Sequence, residues 1–228
     1  MPSAREVLEN LRKKANPANL EGMKRFGIST DRRLGSSMPL LREEAKMLGR
    51  SHALAIELWA TGMAEAKILA SMVEEPDEVG VPQMEEWVNG FDSWDICDQV
   101  CMNLFRKTPR AVGKIPEWSM SGEVFVKRAS FALIACLATH SNENDEYFLG
   151  MFPLIKAGAV DDRNYVKKAV SWALRSIGKR NENLNEAAIN LAEEIRELDT
   201  KAARWIGSDV LRELKGEPVK KRIGTYTA

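Results

Sequence analysis

Two stretches that lie forty residues apart decide the fold of this chain. FVKRASFALIACLA (125–138) aligns with YVKKAVSWALRSIG (165–178), and each reads as an aromatic residue, valine, lysine, a second basic residue and alanine before an apolar helix. A weaker third copy, KAARWIGSDVLREL (201–214), follows the second at an offset of about 37 residues. Periods of about 40 residues with paired helices are typical of HEAT-type solenoids, in which each pair buries its apolar face only against its neighbours.

Helical periodicity also runs through most of the remaining sequence, and the alternating β-branched runs that are typical of strands do not occur. We therefore predict an all-α fold, a curved, right-handed HEAT-like helical-repeat solenoid with a concave face. The predicted division is a single repeat domain over 1–216 and a C-terminal tail over 217–228, which we expect to be disordered or to contact phosphate. The predicted helices cover 3–15, 39–49, 51–61, 63–73, 82–89, 94–107, 123–139, 145–155, 163–179, 184–197, 200–206 and 208–215.

The composition is that of an ordinary globular protein, with 44% hydrophobic and 29% charged residues among 228. Cys97, Cys101 and Cys136 each lie among apolar residues, without a CxxC pair or a nearby histidine pair, so we predict buried thiols and neither a metal site nor a cofactor. The start, MPSAREVLENLRKKA, lacks the apolar core of a signal peptide, and no apolar run approaches the ~18 residues of a membrane helix. We expect a cytoplasmic protein without a membrane partner.

The net charge is zero, but the charges are unevenly distributed along the chain. Residues 51–105 contain eleven acidic residues and one lysine, whereas residues 1–50 and 106–228 each carry a net charge of +5. Such asymmetry is compatible with a nucleic-acid surface on part of the molecule, and equally with ordinary solvated helix faces.

The predicted helix 163–179 has an unusual second face. Lys168, Trp172 and Arg175 lie at i, i+4 and i+7 on that face, and Asp161 or Asp162 is a candidate N-cap. A separate apolar stripe predicts the core side of the helix, and it consists of Val166, Ala169, Val170, Ala173, Leu174 and Ile177.

The equivalent positions in the preceding repeat are Arg128, Ala132 and Ala135. If the two helices are neighbours, the alanines leave room beside Trp172, and we expect a shallow cleft on a basic surface. Packing of Trp172 against the next repeat is the alternative, and the residues alone do not decide between them.

The segment FDSWDICDQV (91–100) places two carboxylates in an apolar helix. A helix that starts at Asp92 and Ser93 puts Trp94 and Asp98 about 40° apart on one edge of the core stripe, with Asp95 near the opposite pole. The core stripe itself is Ile96, Cys97, Val100, Cys101 and Leu104. The two carboxylates are therefore not a catalytic pair. We predict that Asp95 is structural or solvated near the positive end of the helix dipole, whereas Asp98 needs a partner or a use for its charge.

Cleavage of an N-glycosidic bond is one use for such a carboxylate. The reaction passes through an oxocarbenium-like state at the sugar, which a fixed carboxylate stabilises. A cationic leaving base, as in N3- or N7-alkylated purines, needs no strong general acid, and indole faces favour cations. Trp94, Asp98, Arg128 and Trp172 supply these parts without a metal.

The segments SWDICDQV, FVKRASFALIACL and YVKKAVSWALRSIGKRN resemble those of the AlkD-like DNA alkylation repair proteins, over about residues 22–214. The resemblance implies HEAT-like repeats whose concave face binds duplex DNA, and a glycosylase that releases 3-methyladenine or 7-methylguanine. It implies that Asp98 is the catalytic carboxylate, that Trp94 and Trp172 are aromatic walls near the lesion, and that Arg128 holds a nearby phosphate.

Further contacts to the DNA backbone are expected from Lys127, Lys167, Lys168 and Arg175, on the basis of their helical faces. The implied partner is double-stranded DNA that carries alkylated bases, bound by a monomer. The sequence departs from the family pattern at two sites: a serine precedes Trp94, where active members often have a second tryptophan, and Phe26 stands where a tyrosine is usual.

Two other functions remain open at this point. A non-catalytic binder of damaged or branched DNA would use the same basic residues without Asp98. A protein–protein scaffold, the commonest use of HEAT-type solenoids, would use the acidic middle of the chain to bind a basic partner.

Overall fold

The computed structural model describes residues 2–224, except for the side chain of Pro109, and this part of the chain contains α-helices and one short 3-10 helix but no strand. The all-α prediction is confirmed. The chain forms two compact units, unit 1 (Met1–Ala111) and unit 2 (Val112–Ala228).

Unit 1 is built on short helices, several of which begin at a serine whose hydroxyl accepts a backbone N–H, as at Ser3, Ser37 and Ser51. The indoles of Trp59 and Trp87 stack in its core, with ring centroids 4.2 Å apart. The helices are α1 (Ala4–Lys13), α2 (Ala18–Arg25), α3 (Met38–Leu48), α4 (His52–Ala60), α5 (Ala64–Val73), α6 (Val81–Asn89) and α7 (Trp94–Asn103), followed by the 3-10 helix Phe105–Lys107.

Unit 2 contains the repeat helices identified in the sequence, and α8 (Pro109–Val112) spans the boundary between the units. The remaining helices are α9 (Ile115–Ser119), α10 (Val124–His140), α11 (Asp145–Leu149), α12 (Phe152–Gly158), α13 (Asn164–Ile177), α14 (Glu182–Arg196), α15 (Lys201–Leu214) and α16 (Glu217–Gly224). Helix α13 contacts both α10 and α15, and it also contacts α12 and α14. The three aligned sequence copies are therefore successive neighbours within unit 2, as a helical repeat requires.

The predicted core stripes are confirmed. The stripe of α13 and the stripe of α7 are buried throughout, and so are all three cysteines. Among residues 2–224 no helix is both long and apolar enough to cross a lipid bilayer, and no group of three or more His, Cys, Asp or Glu side chains could hold a metal ion.

Some helix boundaries differ from the prediction. The predicted helix 145–155 is two helices, α11 and α12, because Pro153 in the first turn of α12 starts a new helix. The two predicted helices at 200–206 and 208–215 are the single helix α15, which continues through Gly207. The predicted helix 94–107 ends at Asn103, and α2, α8, α9 and α16 were not predicted.

The single domain over 1–216 with a tail over 217–228 stays a prediction. Within that tail, α16 buries Val219 and Ile223, and residues 225–228 lie outside the described part of the chain.

Candidate functional site

The start of α7 is fixed by a buried ion pair. Arg33 Nη2 lies 2.7 Å from Asp95 Oδ1, and the two side chains are 3% and 16% exposed. The Ser93 hydroxyl also donates to this carboxylate. Asp95 is the second residue of α7, where its charge also opposes the positive end of the helix dipole. Of the two predicted alternatives for Asp95, the structural one is confirmed and the solvated one is wrong.

The loop that contains Arg33 is itself fixed by helix α5. One carboxylate oxygen of the buried Glu65 accepts the backbone N–H groups of Leu34 and Gly35 at 2.9 and 2.8 Å. The backbone N–H of Ala64 donates to the Arg32 carbonyl at 3.0 Å. Helix α5 therefore fixes the loop, and the loop fixes α7.

Trp94, the first residue of α7, is oriented by α2. Its indole Nε1 donates to the carbonyl of Phe26 at 3.1 Å. Phe26 directly follows α2 as its C-cap residue, and it is 74% exposed. The backbone of Phe26 thus holds the half-buried indole, at the position where this sequence lacks the tyrosine hydroxyl.

Asp98 lies one turn after Trp94 on the same edge of α7 and is half-buried. The core stripe of α7 is buried and the helix packs on α5, which fixes the edge of the helix on which this carboxylate lies. Asp92, just before α7, is different: its carboxylate is 63% exposed and lies 3.5 Å from Lys67. The three aspartates of the segment therefore differ in environment, and Asp98 and Trp94 together form what we call the α7 edge.

In unit 2, a cavity of 370 Å³ opens beside the half-buried Trp172. We call it the Trp172 cavity, and its lining residues are Ala138, Thr139, Trp172, Ser176, Lys179, Arg180, Asn181 and Arg222. A cleft beside Trp172 was predicted, but with Ala132 and Ala135 as its walls. Both of these alanines are buried, and the small side chains that border the cavity lie one turn later on α10.

Arg128 lies deeper than predicted. The residue is 5% exposed, and its Nη1 donates to the carbonyl of Tyr165 at 2.6 Å. The long side chain therefore joins α10 to the start of α13, and the predicted phosphate contact stays a prediction.

Asp161 does not cap α13, contrary to prediction. The residue at the cap position is Arg163, whose guanidinium donates to the Asp161 carboxylate at 2.9 and 2.6 Å. Lys127 Nζ lies 3.1 Å from the same carboxylate. The hydrogen bonds from Arg163, with those from Lys127, lower the Asp161 pKa to about 2. The other candidate cap, Asp162, is exposed. Lys127, predicted to contact DNA, thus has a carboxylate partner within the protein.

The three predicted DNA contacts on α13 have different surroundings. Lys168 is exposed, and Lys167 lies with its Nζ 4.9 Å from the ring centroid of Trp205. Arg175 forms ion pairs with Glu213 and Asp209 of α15. Of the three, Lys168 is therefore the cation most open to an external phosphate.

The basic residues of the Trp172 cavity were not predicted. Lys179 and Arg180 follow α13 directly in the sequence SIGKRN, and Arg222 lies in the basic run of the C-terminal segment. The pair of cations at the end of the predicted helix 163–179 was the available signal. That Arg222 joins them depends on the packing of α16, which the sequence pattern does not reveal.

Comparison with known proteins assigns the family. The family model for DNA alkylation repair enzymes matches residues 7–209. The chain belongs to this family. Membership confirms the resemblance, and the match includes both the α7 edge and Trp172. Among curated proteins, none matches the chain.

A solved structure with a similar fold supports the architecture. It is described as "a new family of proteins related to the HEAT-like repeat DNA glycosylases with affinity for branched DNA structures". Its TM-score is 0.76 at 18% identity, and the alignment covers 93% of this chain and 96% of the other. The predicted HEAT-like repeat fold is confirmed.

Two designed proteins show weaker likeness. An engineered protein has a TM-score of 0.43 at 12% identity, with 77% of this chain and 90% of the other covered. A designed armadillo repeat protein in complex with the peptide (KR)4 has a TM-score of 0.42 at 12% identity, with 96% and 87% covered.

Proposed function

We propose that this DNA alkylation repair family member is a DNA glycosylase that excises cationic alkylated purines of the 3-methyladenine and 7-methylguanine type. The reaction is hydrolysis of the N-glycosidic bond. The bond between C1′ and the base breaks and the base leaves with the bonding electron pair. Water then adds to the cationic C1′ and loses a proton to solvent, which leaves a C1′ hydroxyl. Because the alkylated base already carries a positive charge, it leaves as a neutral molecule without protonation by a strong acid.

The observation that carries this proposal is the position of Asp98 in α7. Asp98 lies half-buried one turn after Trp94 on the same helix edge. Helix α7 packs on α5, and the Phe26 carbonyl accepts the indole N–H of Trp94. A rigid carboxylate beside an indole favours a cation, and the sugar becomes cationic in the transition state.

In this mechanism Asp98 stabilises the oxocarbenium-like sugar and orients the attacking water. Trp94 presents its indole to the cationic base or sugar. We propose that Trp172 and Arg128 of unit 2 contribute the second aromatic wall and a phosphate contact, as the family pattern implies. Lys168 and its neighbours on α13 would hold the DNA backbone through contacts that do not depend on the base sequence.

The acidic segment 51–105 is less of an obstacle to DNA than its net charge implies. Glu65 and Glu74 are buried, and the carboxylate of Asp95 is neutralised by Arg33 from outside the segment. Three of the eleven acidic side chains are therefore buried or paired within unit 1, where they repel phosphate less than exposed charge would.

The test is release of free base from alkylated duplex DNA by the wild type, Asp98→Asn and Asp92→Asn. The proposal expects release by the wild type and by Asp92→Asn, and a loss of about 100-fold or more for Asp98→Asn. Asp92→Asn is the matched control, because the same charge is removed from an exposed carboxylate in the same segment. Equal release by the wild type and Asp98→Asn would remove Asp98 from the mechanism.

A second candidate is a non-catalytic binder of damaged or branched DNA. The solved relative that covers most of this chain is described by its affinity for branched DNA structures. Phe26 and Ser93, in place of the usual tyrosine and tryptophan, also distinguish this chain from the active pattern. On this account neither the wild type nor Asp98→Asn releases free base. A four-way junction would then bind more tightly than a linear duplex, and binding would weaken in Lys168→Gln. Negligible binding of any DNA at physiological salt would instead favour the protein–protein scaffold.

A further inference from the structure

We propose that the Trp172 cavity is a phosphate site for the nucleic-acid backbone, and that the C-terminal helix α16 completes it by supplying Arg222. The inference rests on the proposed function in one respect, that the ligand is DNA. It adds Lys179, Arg180 and Arg222 to the residues already proposed around Trp172, and it gives the C-terminal segment a role in binding.

The first argument is the chemistry of the lining. Lys179, Arg180 and Arg222 border the cavity, and the described lining residues include no carboxylate. Guanidinium and ammonium groups are the side chains that bind phosphate most strongly, and an indole wall suits the adjacent sugar or base. A cavity of 370 Å³ has room for a phosphodiester group with its sugar.

The second argument is that the hydrogen-bond partners of Arg180 carry no charge. Its guanidinium donates to the carbonyls of Ala138 at 2.6 Å, Ser141 at 3.2 Å and Glu143 at 2.9 Å. It also lies 4.2 Å from the ring centroid of Phe148. These partners are neutral groups, so they orient the guanidinium without cancelling its charge.

The remaining donor of Arg180 supports the same conclusion. Its Nε is buried and has no hydrogen-bond partner within the described part of the chain. Burial lowers the Arg180 pKa, and the nearby Asp145 opposes this effect only in part. An anion that entered the cavity would therefore meet a partly buried cation whose charge Asp145 compensates only in part.

One carboxylate competes with a phosphate for Lys179. Glu213 lies 2.5 Å from Lys179 Nζ and also pairs with Arg175. Burial alone would raise the Glu213 pKa, but the hydrogen bonds from Lys179 and Arg175 outweigh it, and the pKa is lowered. An ammonium group has three donors, so Lys179 can hold Glu213 and still donate to a phosphate.

Arg222 distinguishes a site that α16 completes from phosphate binding by α13 alone. It lies on the exposed side of α16, while Val219 and Ile223 anchor the helix to unit 2. Removal of the Arg222 charge should therefore leave the fold intact. Lys220, on the same helix but outside the cavity lining, pairs with Glu217 at 3.2 Å and provides a matched control.

The experiment measures binding of a fluorescein-labelled 20-base-pair duplex by fluorescence anisotropy between 50 and 300 mM NaCl, for the wild type, Arg222→Gln and Lys220→Gln. Loss of one phosphate contact is expected to weaken binding on the order of tenfold and to reduce the slope of log K against log salt concentration by about 0.9. Lys220→Gln is expected to match the wild type. If Arg222→Gln and Lys220→Gln both bind the duplex as strongly as the wild type does, the inference is overturned and the proposed function still stands. An absence of wild-type binding to any duplex would overturn the proposed function itself.

A second readout reports on the cavity directly. Inorganic pyrophosphate is titrated into the full-length protein while the indole N–H resonance of Trp172 is followed by NMR, with Trp172→Phe used for its assignment. The proposal expects a saturable shift in the wild type and in Lys220→Gln, and a markedly weaker one in Arg222→Gln. A shift of the same size and midpoint in Arg222→Gln would exclude α16 from the site.

Discussion

Replacing Asp95 with asparagine removes the charge that neutralises Arg33 inside unit 1. The guanidinium is 3% exposed and its distance to the carboxylate is 2.7 Å, so Asp95→Asn leaves a buried cation without a counter-charge. Removing one partner of a buried ion pair costs about 3–5 kcal/mol. The pair between Lys67 and Asp92 spans 3.5 Å, and its carboxylate is 63% exposed, so Asp92→Asn should cost less than about 1 kcal/mol.

Urea unfolding followed by far-ultraviolet circular dichroism measures the difference. A loss of about 3 kcal/mol corresponds to a fall in melting temperature of roughly 6–12 °C for a protein of this size. Since both variants remove one negative charge from the same segment, any general charge effect cancels between them. Arg33→Met combined with Asp95→Asn should cost less than the sum of the two single changes, because the double variant no longer buries a lone charge. Equal stability of Asp95→Asn and Asp92→Asn would refute the assignment of Asp95 to a structural role.

Three further predictions concern packing, pH and DNA contact. Gly207→Ala places a methyl group 2.6 Å from a backbone carbonyl of α14 and should destabilise the protein by about 1–3 kcal/mol. In Gly22→Ala the new methyl group meets nothing within 4 Å, so this change should stabilise α2 by up to about 1 kcal/mol. The urea midpoints of the two variants test this difference. The Asp161 pKa is lowered from 3.8 to about 2, so its carboxylate contributes stability above about pH 4 and loses it as the pH falls towards 2. Asp161→Asn should therefore cost about 2 kcal/mol near pH 6 and less than half of that near pH 2.5, in unfolding measured at both values. Lys168→Gln should weaken duplex binding more than Arg175→Gln does, because Arg175 is already paired with two carboxylates. Anisotropy titrations at 150 mM salt measure both affinities, and the opposite order would contradict this reasoning.

The repeat helices were predictable because their signals are local. Apolar spacing along α10 and α13 fixes which side of each helix is buried, and the 40-residue offset identifies them as equivalent. The predicted break between helices 200–206 and 208–215 was wrong, because the role of Gly207 depends on its neighbours. Helix α15 runs through Gly207, since the crossing with α14 leaves no room for a Cβ atom.

The candidate site was predictable only in part. Helical geometry was enough to separate Asp95 from Asp98, because both lie on one short helix. Helical geometry did not predict the burial of Arg128, because a long side chain can point inward to a carbonyl in the next repeat. Arg222 could not be placed beside Lys179, because their proximity depends on how α16 packs in unit 2.

The most direct test of the proposed function is the rate of 3-methyladenine release from a methylated duplex under single-turnover conditions, with protein in excess over DNA. The mechanism predicts that Asp98→Asn reduces this rate by about 100-fold or more while its duplex affinity and urea midpoint stay close to those of the wild type. Asp92→Asn should release base at the wild-type rate. Release by Asp98→Asn at the wild-type rate would contradict the assignment of this carboxylate to the chemistry.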